Sequence, residues 1–99
     1  MLNDPQILNA SRSLAKRMTA YSNDLQGRLK YGFLLATGRQ PQAPELVVLK
    51  QAYQAQLKYY SDKSKERAAL LAAEGSPADA AMVMTASTLL NLSESMTRN

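Results

Sequence analysis

The stretch Gly38-Arg39-Gln40-Pro41-Gln42-Ala43-Pro44-Glu45-Leu46 decides how the chain must fold, because it separates two long helical patterns. Proline has no amide hydrogen and disfavours a helical residue before it, so Pro41 and Pro44 prevent one continuous helix. Gly38 is typical of a helix C-terminus. Pro44-Glu45 is typical of a helix start, with proline early and an acid at the positive end of the dipole. The stretch therefore predicts a turn between two helices.

Helical patterns continue on both sides of this turn. Upstream, Asp4-Pro5 predicts the start of a first helix, and Ser22-Asn23-Asp24 ends it and caps a second. Downstream, Ser61-Asp62 interrupts the third helix, a short helix ends at Gly75, and Ser76-Pro77-Ala78-Asp79 starts the last one. Apolar residues recur at helical spacing within the first, second, third and last of these helices. In that order, they are Ile7, Leu14, Met18 and Tyr21; Leu25, Leu29, Phe33 and Ala36; Leu46, Leu49, Tyr53, Leu57 and Tyr60; and Met82, Ala86, Leu89, Leu90 and Met96.

These patterns predict an all-α fold: a single helical domain over residues 1–99, built as a small bundle of four to five short helices with short loops. No segment alternates apolar and polar residues as a strand would. Gly27 and Gly32 lie inside the second helix and indicate close approach of a neighbouring helix. The first and last helices each lack a sequence neighbour on one side, so we expect them to expose the most apolar surface.

The composition excludes several kinds of site. The 99 residues contain no Cys and no His, which removes disulfides, thiolate or imidazole metal ligands and the commonest general base. No motif for a cofactor is present, and we expect no cofactor and no metal. The net charge of +4 is carried by scattered residues rather than a basic run, so we expect no nucleic-acid partner. No apolar run is long enough for a membrane span, and the N-terminus does not have the pattern of a signal peptide, which leaves the localisation open.

The remaining polar residues do not form a catalytic pattern. Four acids, Asp4, Asp24, Glu45 and Asp79, stand where helices begin, and capping explains them. Glu94 lies near the C-terminus and capping does not explain it. The serines have no base beside them to activate a hydroxyl. The sequence therefore predicts a protein that is not an enzyme, with no catalytic residues.

Two stretches carry a more specific resemblance. They are Arg28 to Leu46, with its A-T-G-R-Q-P-Q-A-P-E-L ending, and the terminal A-S-T-L-L-N-L-S-E-S-M-T-R from Ala86 to Arg98. Together with the opening L-N-D-P-Q, they resemble the C-terminal end of the planctomycete cytochrome C domain-containing proteins, which are large exported proteins of unknown function. The residues that match the two family motifs are Gly38, Arg39, Pro41, Glu45 and Leu46 in the first, and Leu89 to Leu92 with Glu94 in the second.

The resemblance covers nearly the whole chain and implies structural roles. Gly38 is expected to form a left-handed cap, Arg39 to pair with a nearby acid, and Asn91 to satisfy backbone groups of a neighbouring loop. Ser93 stands where the family usually has an acid. In the family, L-N-D-P is preceded by several other domains, so the resemblance implies that this chain is a fragment and that any haem or catalytic function lies outside it.

Three functions remain open at this point. The first is a non-catalytic accessory or interaction domain, whose partner is the rest of a parent protein. The second is a self-assembling subunit, a possible homo-oligomer, because Pro41 to Pro44 followed by Tyr53-Gln54 and Leu57 is reminiscent of the helical hairpin of secretion-needle subunits. The third is a small regulatory protein that binds a partner helix through the Met-rich last helix.

Overall fold

A computed structural model of the chain describes residues 4–97 and the side chains of residues 4–93. Within this range the fold consists of five α-helices joined by short connections. The helices are α1 (Pro5–Tyr21), α2 (Leu25–Thr37), α3 (Ala43–Tyr60), α4 (Ser64–Leu71) and α5 (Pro77–Thr97). The all-α bundle is confirmed, since residues 4–97 form no strand. Within that range, no helix combines the length and the apolarity that crossing a membrane requires.

Side-chain caps fix most of the helix starts where the sequence predicts them. Asp4 Oδ1 accepts from the amide of Gln6 at 2.9 Å, and Asp24 Oδ2 accepts from the amide of Gly27 at 2.9 Å. Ser76 and Asp79 form a reciprocal capping box, each side chain accepting from the amide of the other at 3.1 and 3.0 Å. Local chemistry therefore sets these boundaries without help from the tertiary structure.

The end of α4 differs from the prediction. The helix ends at Leu71 rather than at Gly75, and Ala72 takes the left-handed conformation with φ of 57°. A contact from α1 holds this earlier end, because Arg12 Nε donates to the carbonyl oxygen of Leu70 at 2.9 Å. That carbonyl is one of the last four in the helix and has no partner within it. A contact from 58 residues away thus marks the end of the helix.

The last helix is the centre of the bundle, contrary to the expectation that it would expose apolar surface. α5 packs against each of the other four helices. Its buried residues are Ala80, Ala81, Met82, Val83, Thr85, Ala86, Ser87 and Leu89. Several of them are small, which lets neighbouring helices approach closely. Of the six large apolar residues that are exposed within the described range, three lie on α3, where Val47 and Val48 are 53% and 62% exposed, and one, Leu92, lies on α5 and is 37% exposed.

Gly32 confirms the expected close approach between helices, whereas the prediction is wrong for Gly27, where the nearest atoms to an added Cβ belong to Ser22 and Asp24 in the connection before α2. A Cβ at Gly32 would lie 2.5 Å from Met18 Cε on α1 and 3.0 Å from Leu89 Cδ1 on α5. Met18 and Leu89 are both fully buried, as is Phe33 beside the glycine. The missing side chain therefore lets α1, α2 and α5 meet at one point of the core.

The aromatic end of α1 also differs from the prediction. Tyr21, placed by its spacing in the apolar stripe, is 61% exposed. Its ring stacks on Tyr31 of α2, with centroids 4.0 Å apart and planes 4° apart. An aromatic residue in the last turn of a helix can thus pack beside the core on a neighbouring ring rather than inside it.

Candidate functional site

The connection between α2 and α3 holds most of the residues that the sequence singled out. We call it the α2–α3 corner, formed by residues 33–46 with Ser93. Gly38 takes the left-handed conformation, φ 83°, and its amide donates to the carbonyl of Leu34 at 2.8 Å. The predicted left-handed cap is therefore confirmed. Glycine suits this position because few other residues adopt the left-handed conformation without strain.

An ion pair spans the α2–α3 corner. Arg39 Nη1 and Nη2 donate to Glu45 Oε1 and Oε2 at 2.9 and 2.8 Å, a bidentate arrangement. The amide of Gln42 donates to Glu45 Oε1 at 2.8 Å. Hydrogen bonds from Arg39 and then from Gln42 stabilise the ionised carboxylate and lower the pKa of Glu45 to about 2. The expectation that Arg39 pairs with a nearby acid is confirmed.

The corner is also anchored on the core. The Arg39 guanidinium carbon lies 5.0 Å from the centre of the buried Phe33 ring, within the range of a cation–π contact. Thr37 Oγ1 donates to the Phe33 carbonyl oxygen at 2.8 Å. Pro41 lies in the connection itself, and Pro44 lies in the first turn of α3, where no amide donor is needed. Arg39 thus joins Glu45, at the start of α3, to the core.

The C-terminal motif reaches the same corner through a residue that sequence reasoning did not select. Ser93 Oγ donates to the carbonyl oxygen of Ala36, in the last turn of α2. This bond joins segments 57 residues apart, so no local pattern could predict it. Sequence reasoning noted Ser93 only because an acid is usual there in the resembling family. An ionised acid could not donate this bond.

Asn91 and Glu94 are the two polar residues that match the C-terminal family motif. Asn91 Nδ2 donates to the Ser87 carbonyl at 3.0 Å, a bond within α5, so the expected bond to a neighbouring loop is not the one it makes. Side-chain amides commonly reach the carbonyl four residues back in a helix. The side chain of Glu94 lies outside the described residues.

Three arginines that could have formed a basic surface are instead bonded to the backbone. Arg12 donates to Leu70, as described above, and Arg28 Nε donates to the carbonyl of Ser22. Arg67 Nη1 and Nε donate to the carbonyls of Tyr60 and Gly75 at 2.7 and 3.2 Å. Planar guanidinium groups suit this role because they present several donors in fixed directions. These side chains hold helix ends together.

One groove in the described surface lies away from the α2–α3 corner. A groove of about 420 Å³ runs between α1 and α5 beside the connection after α4. Its apolar lining includes Ala15, Met82 and Val83, and its charged lining includes Lys16 and Glu74. Met82 is only 2% exposed, so most of its side chain fills the core. None of the motif residues Gly38, Arg39, Pro41, Glu45 and Asn91 lines this groove.

Comparison with known proteins finds no match for this chain among family models, curated proteins or solved structures.

Proposed function

We propose that this chain is a non-catalytic helical accessory domain that acts by packing against other protein. The proposal keeps the resemblance to the C-terminal end of the planctomycete cytochrome C domain-containing proteins, with the chain as a fragment of such a protein. The parent protein, on this proposal, carries any chemistry in its other domains.

One observation carries the proposal: the motif residues Gly38, Arg39, Glu45 and Asn91 are bonded within the fold, and none of them lines the groove between α1 and α5. A catalytic or ligand site needs side chains that converge on a cavity where a reacting group can sit. In the α2–α3 corner the bonds of Gly38, Arg39, Glu45 and Ser93 instead close helix ends and join α2 to α3 and α5. These bonds support a structural role for the motif residues.

The arrangement also supports a module with its own core. Among the residues whose side chains are described, fifteen buried apolar residues form one cluster to which all five helices contribute. Every buried side-chain nitrogen or oxygen in the described residues has a hydrogen-bond partner. A domain that completes its core and its polar bonds in this way can fold before it meets another domain.

Light scattering after size-exclusion chromatography, combined with a thermal melt followed by circular dichroism, tests this proposal. We expect a single cooperative melt of the isolated chain. We also expect Arg39→Ala to lower the melting temperature, since it leaves Glu45 without its partner, and Asn91→Ala to lower it less, since that bond is local. A helix-rich state without a cooperative melt would contradict a self-contained domain, and an unchanged melting temperature in Arg39→Ala would remove the structural interpretation of the motif.

A further inference from the structure

The groove between α1 and α5 is open to the surface, although its floor belongs to the core. We call it the α1–α5 groove. Its floor is formed by Ala15, Met82 and Val83, which are all buried. The volume of about 420 Å³ falls within the roughly 300 to 1,000 Å³ that small-molecule pockets occupy. The groove is therefore large enough to hold a small ligand against apolar side chains.

One wall of the groove depends on an unusual backbone conformation. Ala72, just after α4, is the one residue other than glycine with a positive φ in the described part of the chain. It turns the chain so that Ala73 and Glu74 line the groove opposite α1. An alanine in this conformation is strained, and strained backbone occurs more often at ligand sites than elsewhere. Because Arg12 holds the end of α4 through a backbone carbonyl, this wall is in place before any ligand binds.

Four charged residues line the groove, two basic and two acidic. Arg12 and Lys16 come from α1, and Glu74 and Asp79 come from the segment that follows α4. The fold uses one of each sign, since Arg12 bonds to the end of α4 and Asp79 caps the start of α5. Lys16 and Glu74 make no hydrogen bond or ion pair with the residues that the structure describes. One cation and one anion in the groove are thus left for a ligand.

A hydroxyl adds to the cation on the α1 side. Thr19 lies three residues after Lys16 on the same helix and lines the same groove. Its hydroxyl has no hydrogen-bond partner within the described side chains. An ammonium and a hydroxyl both donate to a carboxylate, whereas the carboxylate of Glu74 accepts from an ammonium. The groove therefore offers donors on one side, an acceptor on the other and an apolar floor below them.

This lining selects among classes of small molecule by charge. An anionic ligand would meet the two carboxylates of Glu74 and Asp79, and a cationic ligand would meet Lys16. A purely apolar ligand would shield both free charges from water without replacing the water. An apolar amino acid, or a short apolar peptide with free ends, carries a carboxylate, an ammonium and an apolar side chain in one molecule. Such a zwitterion is complementary to every part of the lining.

We propose that the α1–α5 groove binds a small apolar zwitterion, namely an apolar amino acid or a short apolar peptide with free ends. Its carboxylate bonds to Lys16 and Thr19, and its ammonium bonds to Glu74. Its apolar side chain lies against Leu71 and Met82. The proposal goes beyond the proposed function and does not rest on it. The charged side chains are in contact with water, so we expect weak binding, with a Kd on the order of 1 mM.

Nitrogen-15 NMR spectra of the full chain, recorded with increasing leucine and separately with leucyl-leucine up to about 20 mM, test the site. We expect saturable shifts of the backbone amides in residues 15–20 and 71–83, and unchanged amides in the α2–α3 corner. The probe with the lower Kd tells whether the groove prefers the amino acid or the peptide. N-acetyl-leucinamide and N-acetyl-leucyl-leucinamide are the matched controls, because they keep the apolar body and lack both charges. We expect them to bind about tenfold more weakly.

Variants test each charge separately. Lys16→Gln and Glu74→Gln are each expected to raise the Kd of the free probes about threefold, and Lys65→Gln, an exposed position on α4 outside the groove, is expected to leave it unchanged. The double variant Lys16→Glu, Glu74→Lys exchanges the two charges. We expect it to bind the probes more tightly than either single reversal, because a zwitterion can bind in the opposite direction. Circular dichroism checks that all variants keep the wild-type fold.

Three results would each overturn the proposal. They are the absence of saturable shifts with both free probes at about 20 mM, equal affinity for free and blocked probes, and wild-type affinity in both Lys16→Gln and Glu74→Gln. None of these results bears on the cooperative melt of the isolated chain. The accessory-domain proposal would therefore stand if the ligand site failed.

Discussion

Arg39 and Glu45 face each other across the connection between α2 and α3, with two guanidinium nitrogens bonded to the two carboxylate oxygens at 2.9 and 2.8 Å. The pair fixes the angle at which the chain leaves one helix and enters the next. The same carboxylate accepts from the Gln42 amide at 2.8 Å, so it also caps the start of α3. One acid therefore serves both the turn and the helix that follows.

This pairing predicts a specific dependence of stability on pH. The pKa of Glu45 is lowered from an ordinary 4.5 to about 2, so the carboxylate stabilises the fold above pH 4.5 and loses this contribution as the pH falls toward 2. We expect Glu45→Gln to melt at a lower temperature than the wild type at neutral pH, with the gap closing between pH 4.5 and 2. Thermal melts across this range measure the gap, with Glu74→Gln, outside the corner, as the control. A gap that does not change with pH would contradict the assignment.

Ser93→Ala tests the bond that joins the end of α5 to α2. Removing the hydroxyl leaves the Ala36 carbonyl without this donor, and we expect a loss of about 1 kcal/mol in the free energy of unfolding. Ser93→Asp should lose more, because an ionised acid cannot donate and lies near the negative end of the α2 dipole.

Urea denaturation measures both variants. Thr88→Ala is the matched control, since Thr88 makes only a local bond to the Met84 carbonyl of its own helix among the described hydrogen bonds. Equal losses in Ser93→Ala and Thr88→Ala would show that the contact with α2 adds nothing to the stability.

Gly32→Ala tests the close contact of α1, α2 and α5. Alanine favours the helix by up to about 1 kcal/mol over glycine, but overpacking a core costs about 1 to 3 kcal/mol. The new Cβ would lie 2.5 Å from Met18 Cε, and the Met18 side chain is fully buried. We therefore expect the cost of overpacking to exceed the gain in helix propensity, so that the protein is destabilised. Ser13→Ala, on the exposed side of α1, is the control and should change stability little. If Gly32→Ala were more stable than the wild type, helix propensity would outweigh this contact.

Arg12→Ala tests how α4 is held. Arg12 Nε bonds to the Leu70 carbonyl, and we expect its loss to open the end of α4 locally without unfolding the bundle. Hydrogen exchange followed by mass spectrometry should show amides of α4 exchanging about tenfold faster, with the amides of α5 unchanged. Lys16→Ala, one turn further along α1, removes a charge without this bond and serves as the control. Equal acceleration in α5 would indicate global destabilisation instead.

Local sequence patterns are sufficient to predict the helices and most of their ends. Caps such as Asp24 and the pair Ser76 and Asp79 bond to amides three residues away, so their effect can be inferred without knowing the rest of the fold. The cap at Gly38 and the ion pair of Arg39 and Glu45 are also local, because Gly38 bonds to Leu34, four residues away, and Arg39 bonds to Glu45, six residues away. The predicted residues of the α2–α3 corner are therefore those whose partners lie close in sequence.

Which helix lies at the centre, and which helix face stays in water, depend on contacts between segments far apart in the sequence. The apolar patterns of α3 and α5 both predict a helix with a buried side, but burial depends on what packs around each one. Small residues let α5 contact all four other helices, while α3 keeps Val47 and Val48 exposed. The bonds from Arg12 to Leu70 and from Ser93 to Ala36 join segments 58 and 57 residues apart, and a local pattern contains no information about such partners.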